Sequence, residues 1–210
     1  THAVPGEGPL DAEVMFIGEA PGLNEDQQGR PFVGAAGNFL GELLAAAGYK
    51  REDVYICNVL KCRPPGNRDP LPGEIDACRD YLDEQIDLID PLVVVTLGRY
   101  SMSKFFPRQS ISRIHGQPKE IAATWYVPMF HPAAALHQGN LREPMLNDFR
   151  KLPEIVARAR SSRRGAVLQR EQAAPQPQTF AEEPASMEPD SPAIERPVGQ
   201  PQAPQGRLFD

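Results

Sequence analysis

Short apolar runs alternate with segments of helical periodicity along the first 160 residues. Four of the runs predict buried strands, at residues 13–18, 54–57, 92–98 and 125–130. Apolar side chains at helical spacing predict helices at residues 39–47, 73–89, 99–106 and 143–160. Strands and helices that alternate in this way form parallel sheets covered on both faces. The sequence therefore predicts an α/β fold, with three α/β/α layers around a central, mainly parallel, four-stranded sheet.

The composition changes after residue 160. Pro, Gln, Ala and Glu dominate residues 169–205, and aliphatic side chains are scarce there. Such a segment cannot bury enough apolar surface to offset the entropy that is lost on ordering. We therefore expect one folded domain over residues 1–160, a disordered tail over 161–204 and a short, more apolar end at 205–210.

Charge and cysteine content restrict the classes of function. The 210 residues carry a formal net charge of −6, so any binding of a polyanion must be local. No apolar run is long enough to span a bilayer, and the three cysteines cannot all form disulfides with one another. These features favour a cytoplasmic protein without a membrane segment. The first residue is Thr1 rather than Met, which we interpret as the sign of a fragment or of a re-annotated start.

Loops that follow three of the predicted strands carry unusual residues. They are residues 18–34, 58–70 and 130–140. The carboxyl ends of parallel strands meet at one edge of a sheet, so we expect Glu19, Phe32, Asn58 and His131 to converge on one crevice. Each alone has an ordinary explanation as a turn, capping or core residue. Together, a carboxylate, an aromatic ring, a carboxamide and an imidazole indicate a functional site.

Three blocks in these loops resemble a known family. The blocks are GEAPGLNEDQQGRPFVGAAG, NVLKCRPPGNRDPLPGEIDAC and FHPAAAL. In order and spacing they are similar to the type-4 iron–sulfur uracil-DNA glycosylases, over residues 4–152. The resemblance implies a DNA-repair enzyme that flips uracil out of DNA, hydrolyses its N-glycosidic bond and leaves an abasic site.

The resemblance also implies roles for the pocket residues. Phe32 would stack on the flipped base, and Asn58 would pair with N3–H and O4 of uracil. His131 would donate a hydrogen bond to O2 as negative charge develops on the ring. Gly18 and Ala20 would complete the uracil-binding site.

The carboxylate that acts on the sugar or on water is less defined. Better-known uracil-DNA glycosylases have an Asp at the position of Ala20, which cannot activate water. That departure is typical of the type-4 group. Glu19 is the first choice for a catalytic role, together with His131. Glu25 is expected to line the pocket near the position of a thymine methyl group, and Asp26 is the third candidate.

DNA contacts are expected outside the base pocket. Lys61, Arg63 and Arg68 lie in one loop and suit binding to phosphates. Leu136 is placed where relatives insert an apolar side chain into the vacated base stack. We expect the protein to act on DNA as a monomer.

The cysteines match part of a metal site. An iron–sulfur cluster takes four Cys thiolates, and the resemblance assigns Cys62 and Cys78 to the second ligand pair of a [4Fe-4S] cluster. The first pair lies upstream of the segment with which this sequence begins, so we expect the 210 residues alone not to hold an intact cluster. Cys57 is expected to be a small buried residue.

Three other functions stay open from the residues. His115, in RIHGQP, lies in a context similar to that of a histidine by which related proteins capture uracil-DNA covalently. A non-catalytic iron–sulfur module that binds DNA is a second alternative. A nucleotide-binding protein is the third, but its GEAPG loop lacks the Lys-Ser/Thr that grips phosphate.

The last residues indicate a separate partner. QGRLF, residues 205–209, resembles the short peptide that docks on the bacterial sliding clamp. Gln205, Leu208 and Phe209 would make the contact, at the end of a long tether.

Overall fold

A computed structural model describes residues 2–173 of the chain, and their strands form one sheet in the order β2-β1-β3-β5-β4. The strands are β1 (Val14–Gly18), β2 (Tyr55–Asn58), β3 (Val93–Leu97), β4 (Lys119–Ile121) and β5 (Thr124–Met129). The strands β2, β1, β3 and β5 are parallel to one another, which confirms the predicted four-stranded parallel core. The fifth strand, β4, pairs antiparallel with β5 at one edge of the sheet.

The strands β1, β2 and β3 are buried along their whole length, as their continuous apolar runs predict. Side chains alternate between the two faces of the sheet. Val14 and Phe16 belong to one core cluster, whereas Met15 and Ile17 belong to the other. Both faces therefore need a covering layer of helices.

The described residues form eight α-helices. They are α1 (Leu23–Gln28), α2 (Ala35–Ala46), α3 (Pro72–Ile89), α4 (Arg99–Phe105), α5 (Ile111–Ile114), α6 (Pro132–His137), α7 (Arg142–Arg150) and α8 (Leu152–Ala173). Apolar side chains of α2, α7 and α8 pack in the first core cluster, and those of α3, α4 and α5 pack in the second. The three-layer α/β/α architecture is thus confirmed.

The structure differs from the predicted helix at residues 143–160. Two helices, α7 and α8, replace it, and they meet at Lys151. Pro153 lies in the first turn of α8, where its missing N–H group costs least, and it disfavours one unbroken helix through this point. The second helix continues past Arg160 to Ala173, so the start of the predicted tail is helical. The rest of that tail, with the clamp-like end at 205–210, lies outside the described residues.

The topology brings the ends of four parallel strands to one edge of the sheet. Gly18, Asn58 and Leu97 end β1, β2 and β3, and His131 follows β5 after one intervening residue. Within residues 2–173, no helix is long and apolar enough to cross a membrane.

Candidate active site

A cavity of about 250 Å³ opens at this edge of the sheet. Its wall combines residues from the loops after β1, β2 and β5. The lining residues are Glu19, Ala20, Pro21, Gly22, Glu25, Phe32, Ala36, Asn58, Pro64, Asn67, Arg68, His131 and Ala133. The structure therefore brings together Glu19, Phe32, Asn58 and His131, the four residues that the sequence places at strand ends.

Asn58 presents an unused acceptor to the cavity. It is the last residue of β2 and is 2% exposed. Its Oδ1 is buried and has no hydrogen-bond partner among residues 2–173. A buried polar atom without a partner costs about 1–3 kcal/mol, so such an atom in a pocket indicates that a ligand supplies the missing donor.

Gly18 makes room for the polar and aromatic walls of the cavity. A Cβ atom at this position would overlap Asn58 Oδ1, and it would lie 2.6 Å from Cζ of Phe32. Gly18 also pairs with Asn58 in the parallel register of β1 and β2. The absence of a side chain at Gly18 therefore lets the two recognition groups approach the strand.

Phe32 forms one face of the cavity in a strained conformation. Its φ angle is 50°, in the left-handed region that non-glycine residues rarely adopt. The ring is buried and stacks against the imidazole of His131, with centroids 5.5 Å apart and planes 28° from parallel. Arg51 Nη1 donates a hydrogen bond of 3.0 Å to the Phe32 carbonyl, which helps to hold this conformation.

Glu25 ties the Phe32 loop to the start of α1. Its Oε1 accepts hydrogen bonds of 2.9 Å from the backbone N–H groups of Val33 and Gly34. Its Oε2 accepts one of 3.1 Å from the N–H of Gly22. Both carboxylate oxygens are thus occupied by the protein, although the side chain lines the cavity.

His131 is held as a neutral ring in one tautomer. It caps the N-terminus of α6, and its Nδ1 accepts a 3.1 Å hydrogen bond from the N–H of Ala133. Burial lowers the pKa of His131 from 6.5 to about 4, and the nearby charge of Glu25 opposes this only in part. A neutral imidazole that accepts at Nδ1 carries its proton on Nε2, so His131 is a hydrogen-bond donor at neutral pH.

Glu19 is the partly buried carboxylate of the cavity. Its pKa is raised, first by desolvation and then by the negative charge of Asp69, while the positive charge of Arg99 opposes the shift. No side-chain hydrogen bond from the described residues contributes to that shift. Glu19 therefore differs from Glu25, whose oxygens are bound.

The sequence interpretation missed Asp69 and Arg99, which set the field around Glu19. Arg99 Nη2 lies 2.5 Å from Oδ2 of Asp69, in an exposed ion pair. Arg99 is the first residue of α4, directly after the end of β3 and Gly98. The strand-end rule used for the other three loops also applies to β3, and it could have found this residue.

The residues expected to contact DNA occupy different surroundings. Arg63 Nε donates to Oδ1 of Asn67 at 2.6 Å. Arg68 lines the cavity and forms two hydrogen bonds, of 2.8 and 2.7 Å, with the carboxylate of Glu74. Leu136, on α6, is 49% exposed. These side chains reach the surface around or near the cavity.

Lys61 does not lie where we expected it. The residue is 7% exposed, and its Nζ donates hydrogen bonds of 2.8 Å to the Asn58 carbonyl and 2.5 Å to Oε1 of Gln85. Burial lowers the pKa of its ammonium group. The expectation of a phosphate contact is corrected here, because the ammonium group points into the protein and is already bonded there.

Two further candidates do not line the cavity. Nδ1 of His115 lies 2.5 Å from Oδ2 of the buried Asp148. Asp26 accepts a 2.7 Å hydrogen bond from the backbone N–H of His2 at the surface. Neither side chain belongs to the wall that Glu19, Asn58 and His131 share.

The three cysteines lie in different environments. Cys57 lies in the core, and burial raises its pKa to about 11, as suits a small apolar residue. Cys62 is exposed and Cys78 is partly buried, and both have free thiols. Within residues 2–173, no group of three or more His, Cys, Asp or Glu side chains could hold a metal ion. Cys62, in the loop after β2, and Cys78, on α3, supply half of a four-thiolate set, so the described residues do not form a complete iron–sulfur site.

Comparisons with known proteins agree with this geometry. The family model of the uracil DNA glycosylase superfamily matches residues 5–152. A type-4 uracil-DNA glycosylase of Sulfurisphaera tokodaii is 49% identical over 169 residues, which cover 74% of this chain and 76% of the relative. Type-4 enzymes of Archaeoglobus fulgidus and Thermotoga maritima are 47% and 45% identical, over 75% and 74% of this chain and 84% of each relative. The chain belongs to the uracil-DNA glycosylase superfamily and, within it, to the type-4 uracil-DNA glycosylases.

Proposed function

We propose that this protein is a DNA-repair glycosylase that removes uracil from DNA and leaves an abasic site. The observation that carries the proposal is the buried, unpartnered Oδ1 of Asn58 in the cavity wall. Relatives that are 42–49% identical bear the name of this activity. The base must leave the stack to enter such a pocket, because its glycosidic bond is inaccessible inside a duplex.

Asn58 selects uracil by complementary hydrogen bonds. Its Oδ1 accepts from N3–H of uracil, and its Nδ2 donates to O4. Cytosine carries an acceptor at N3 and a donor at N4, so it would face like groups in both positions. A site built around a substrate hydrogen bond rejects analogues by roughly 10⁴- to 10⁵-fold, because its own buried groups are left unpaired.

Phe32 and Glu25 shape the pocket around the flat ring. The Phe32 side chain, which is held against the His131 ring and the backbone of Gly18, stacks on the flipped base. Glu25 fixes this loop through three backbone N–H groups and forms the wall near the position of a thymine methyl group. Ala20 lines the same wall without any group that can be ionised.

His131 stabilises the departing base. Cleavage breaks the bond between C1′ and N1, and the electron pair leaves with the uracil ring. The neutral His131 donates its Nε2 proton in a hydrogen bond to O2, where part of the negative charge collects. A preorganised donor of this kind contributes about 10²- to 10³-fold to the rate.

Glu19 is the carboxylate that acts on the sugar side. Glu25 is bound to three N–H groups and Asp26 lies outside the cavity wall, which leaves Glu19 to face the reacting carbon. It stabilises positive charge at C1′, and it accepts a proton from the water whose oxygen forms the new bond to C1′. The proton taken up by Glu19 is released to solvent and the uracil anion takes one up, so the products are free uracil and an abasic sugar with Glu19 ionised again.

The surrounding groups hold the DNA strand. We assign Arg63 and Arg68 to DNA phosphates, and Arg68 would exchange its hydrogen bonds to Glu74 for one to DNA. We assign the exposed side chain of Leu136 to the gap that the flipped base leaves in the stack.

The enzyme would act as a cytoplasmic monomer. The clamp peptide at 205–210 would tether it to replication machinery. Unchanged clamp affinity after replacing Leu208 and Phe209 with Ala would refute that tether.

Cys62 and Cys78 would supply two ligands of a [4Fe-4S] cluster. The cluster would brace the loop that carries the phosphate-binding arginines, and no step of base removal runs through it. The third cysteine of the sequence, Cys57, is buried in the core, so a four-thiolate set would need two further ligands.

The test is uracil release from single- and double-stranded oligonucleotides. We expect Glu19→Ala, Asn58→Ala and His131→Ala each to lower the single-turnover rate by at least about 100-fold. Asn38→Ala, an exposed carboxamide on α2, is the matched control and should keep the wild-type rate. Wild-type rates in all three variants would overturn the site, and DNA binding without uracil release by the unmodified chain would favour a non-catalytic binding protein.

A further inference from the structure

The buried ammonium group of Lys61 has no part in the steps described above. It lies behind the cavity wall rather than in it. A lysine is rarely buried to this extent, because removing the charge from water is costly unless hydrogen bonds compensate. The hydrogen-bond partners of Lys61 must therefore account for its burial.

Lys61 bonds directly to the backbone of the recognition residue. Its Nζ donates a 2.8 Å hydrogen bond to the carbonyl of Asn58, three residues earlier. Asn58 is the last residue of β2, which is the edge strand of the parallel core, and the next two residues, Val59 and Leu60, still donate backbone hydrogen bonds to the carbonyls of Gly18 and Glu19. The ammonium group thus adds a side-chain donor for the Asn58 carbonyl on this edge strand.

A second hydrogen bond fixes the ammonium group from the other side. Oε1 of Gln85, on α3, accepts from Lys61 Nζ at 2.5 Å. The amide nitrogen of Gln85 donates in turn to the Pro5 carbonyl at 2.7 Å and to the Tyr55 hydroxyl at 3.2 Å. Gln85 is thus locked in the orientation that offers its oxygen to Lys61.

The backbone of Lys61 is held as well. Its carbonyl accepts a 2.7 Å hydrogen bond from the N–H of Val4, and its own N–H points at Sγ of Cys78 at 3.5 Å. Turning the side chain outward to DNA would break both hydrogen bonds of Nζ, and the fixed backbone cannot move to keep them. Lys61 thus connects Cys78 on α3, Val4 in the N-terminal segment and Asn58 at the end of β2.

We infer that Lys61 is a positioning residue for uracil recognition, which sets the direction of the Asn58 carboxamide by anchoring the Asn58 carbonyl to Gln85. The inference rests on the proposed function, because Asn58 must be the group that reads the base. The two hydrogen bonds between the Asn58 carboxamide and the rigid uracil ring tolerate little rotation of the Asn58 side chain. A small shift of the Asn58 backbone therefore weakens both of them.

The test compares Lys61→Met with Lys104→Met in the full 210-residue chain. Methionine keeps the length of the buried stem but removes the donors, which leaves the Asn58 carbonyl and the Gln85 amide oxygen without their partner. Lys104 is the matched control, since its Nζ forms an ion pair of 2.6 Å with Asp83 and lies outside the cavity wall. We expect Lys61→Met to lower the single-turnover rate on uracil-DNA by about 10- to 100-fold, and Lys104→Met to leave it unchanged.

Double variants separate positioning from a general structural defect. If Lys61 acts through Asn58, adding Lys61→Met to Asn58→Ala should cause no further loss, whereas adding it to His131→Ala should multiply the two losses. A wild-type rate in Lys61→Met, or losses that multiply with Asn58→Ala, would overturn the inference.

A spectroscopic measurement tests the inference without activity. The side-chain amide resonances of Asn58 can be assigned by their disappearance in Asn58→Ala. They should shift in Lys61→Met and stay in place in Lys104→Met, and unshifted resonances in Lys61→Met would contradict the inference. If the unmodified chain released no uracil, the proposed function would fail, and this comparison would still decide whether Lys61 orients Asn58.

Discussion

Replacing Gly18 with Ala tests the close packing on which base recognition depends. The added methyl group would lie 2.6 Å from Cζ and 2.7 Å from Cε2 of Phe32, and it would overlap Oδ1 of Asn58. Carbon atoms in ordinary contact are about 3.5–4.0 Å apart, so the ring must retreat by roughly 1 Å. A displacement of that size at a reacting site costs about 100-fold in rate. Overpacking a buried site costs about 1–3 kcal/mol of unfolding free energy.

The assay combines uracil release under single-turnover conditions with urea unfolding. We expect Gly18→Ala to stay folded at 25 °C and to lose about 100-fold in rate, since overpacking alone removes only a few kcal/mol of stability. Gly41→Ala is the matched control, because Gly41 lies in the exposed part of α2 with no atom within 4 Å of its added Cβ. That substitution should raise the unfolding free energy by about 0.5–1 kcal/mol at an unchanged rate. A Gly18→Ala enzyme with the wild-type rate would refute the packing described for Phe32 and Asn58.

Four other predictions concern charge and ligands. Because the pKa of Glu19 is raised, the rate of uracil release should fall with decreasing pH at values above the ordinary carboxylate pKa of 4.5. The residual rate of Glu19→Gln should not show this decrease. The pKa of His131 is about 4 in the folded protein against the ordinary value of 6.5, so the unfolded chain binds more protons between these two pH values. The unfolding free energy should therefore fall by up to about 3 kcal/mol from pH 7 to pH 4, and it should fall by less in His131→Gln. Equal losses in the two proteins, measured by urea unfolding, would contradict this. Arg68→Gln should reduce the slope of log K against log salt by about 1, and an unchanged slope would remove it from the phosphate contacts. Iron and sulfide analysis should find less than one [4Fe-4S] cluster per chain, and Cys62→Ser should lower that content further. One full cluster per chain would contradict the expectation that Cys62 and Cys78 are too few thiols to hold it.

The main features of the fold could be predicted because burial leaves a direct record in the sequence. The strands β1 and β3 are continuous apolar runs, and α2 repeats its apolar residues at helical spacing. The edge strand β4 has no such record, since its three residues are exposed or partly exposed and it is specified by pairing with β5. The break between α7 and α8 did have a signal, in Pro153.

The site was predictable in position but not in the direction of each side chain. Parallel strands end at one edge of a sheet, so the strand direction alone places Asn58 and His131 at the same edge, although β1 and β3 lie between β2 and β5. The direction of Lys61 depends on Gln85, 24 residues later on α3, and no local pattern records that partner. The distinction between Glu19 and Glu25 likewise depends on backbone N–H groups that a fold must first bring together.

Burial acts on the two ionisable groups of the cavity in opposite directions and for one reason. It raises the pKa of Glu19 and lowers that of His131, since an environment with little water disfavours the charged form of each. The two catalytic roles require opposite charge states. The carboxylate of Glu19 must be ionised to accept a proton from water, whereas the imidazole of His131 must be neutral to accept at Nδ1 and donate from Nε2. The pKa of His131 is lowered to about 4 and that of Glu19 is raised above its ordinary 4.5, so as the pH falls the carboxylate takes up its proton before the imidazole does. The acid limb of the rate should therefore belong to the carboxylate, even though histidine is ordinarily the group that titrates closest to neutrality.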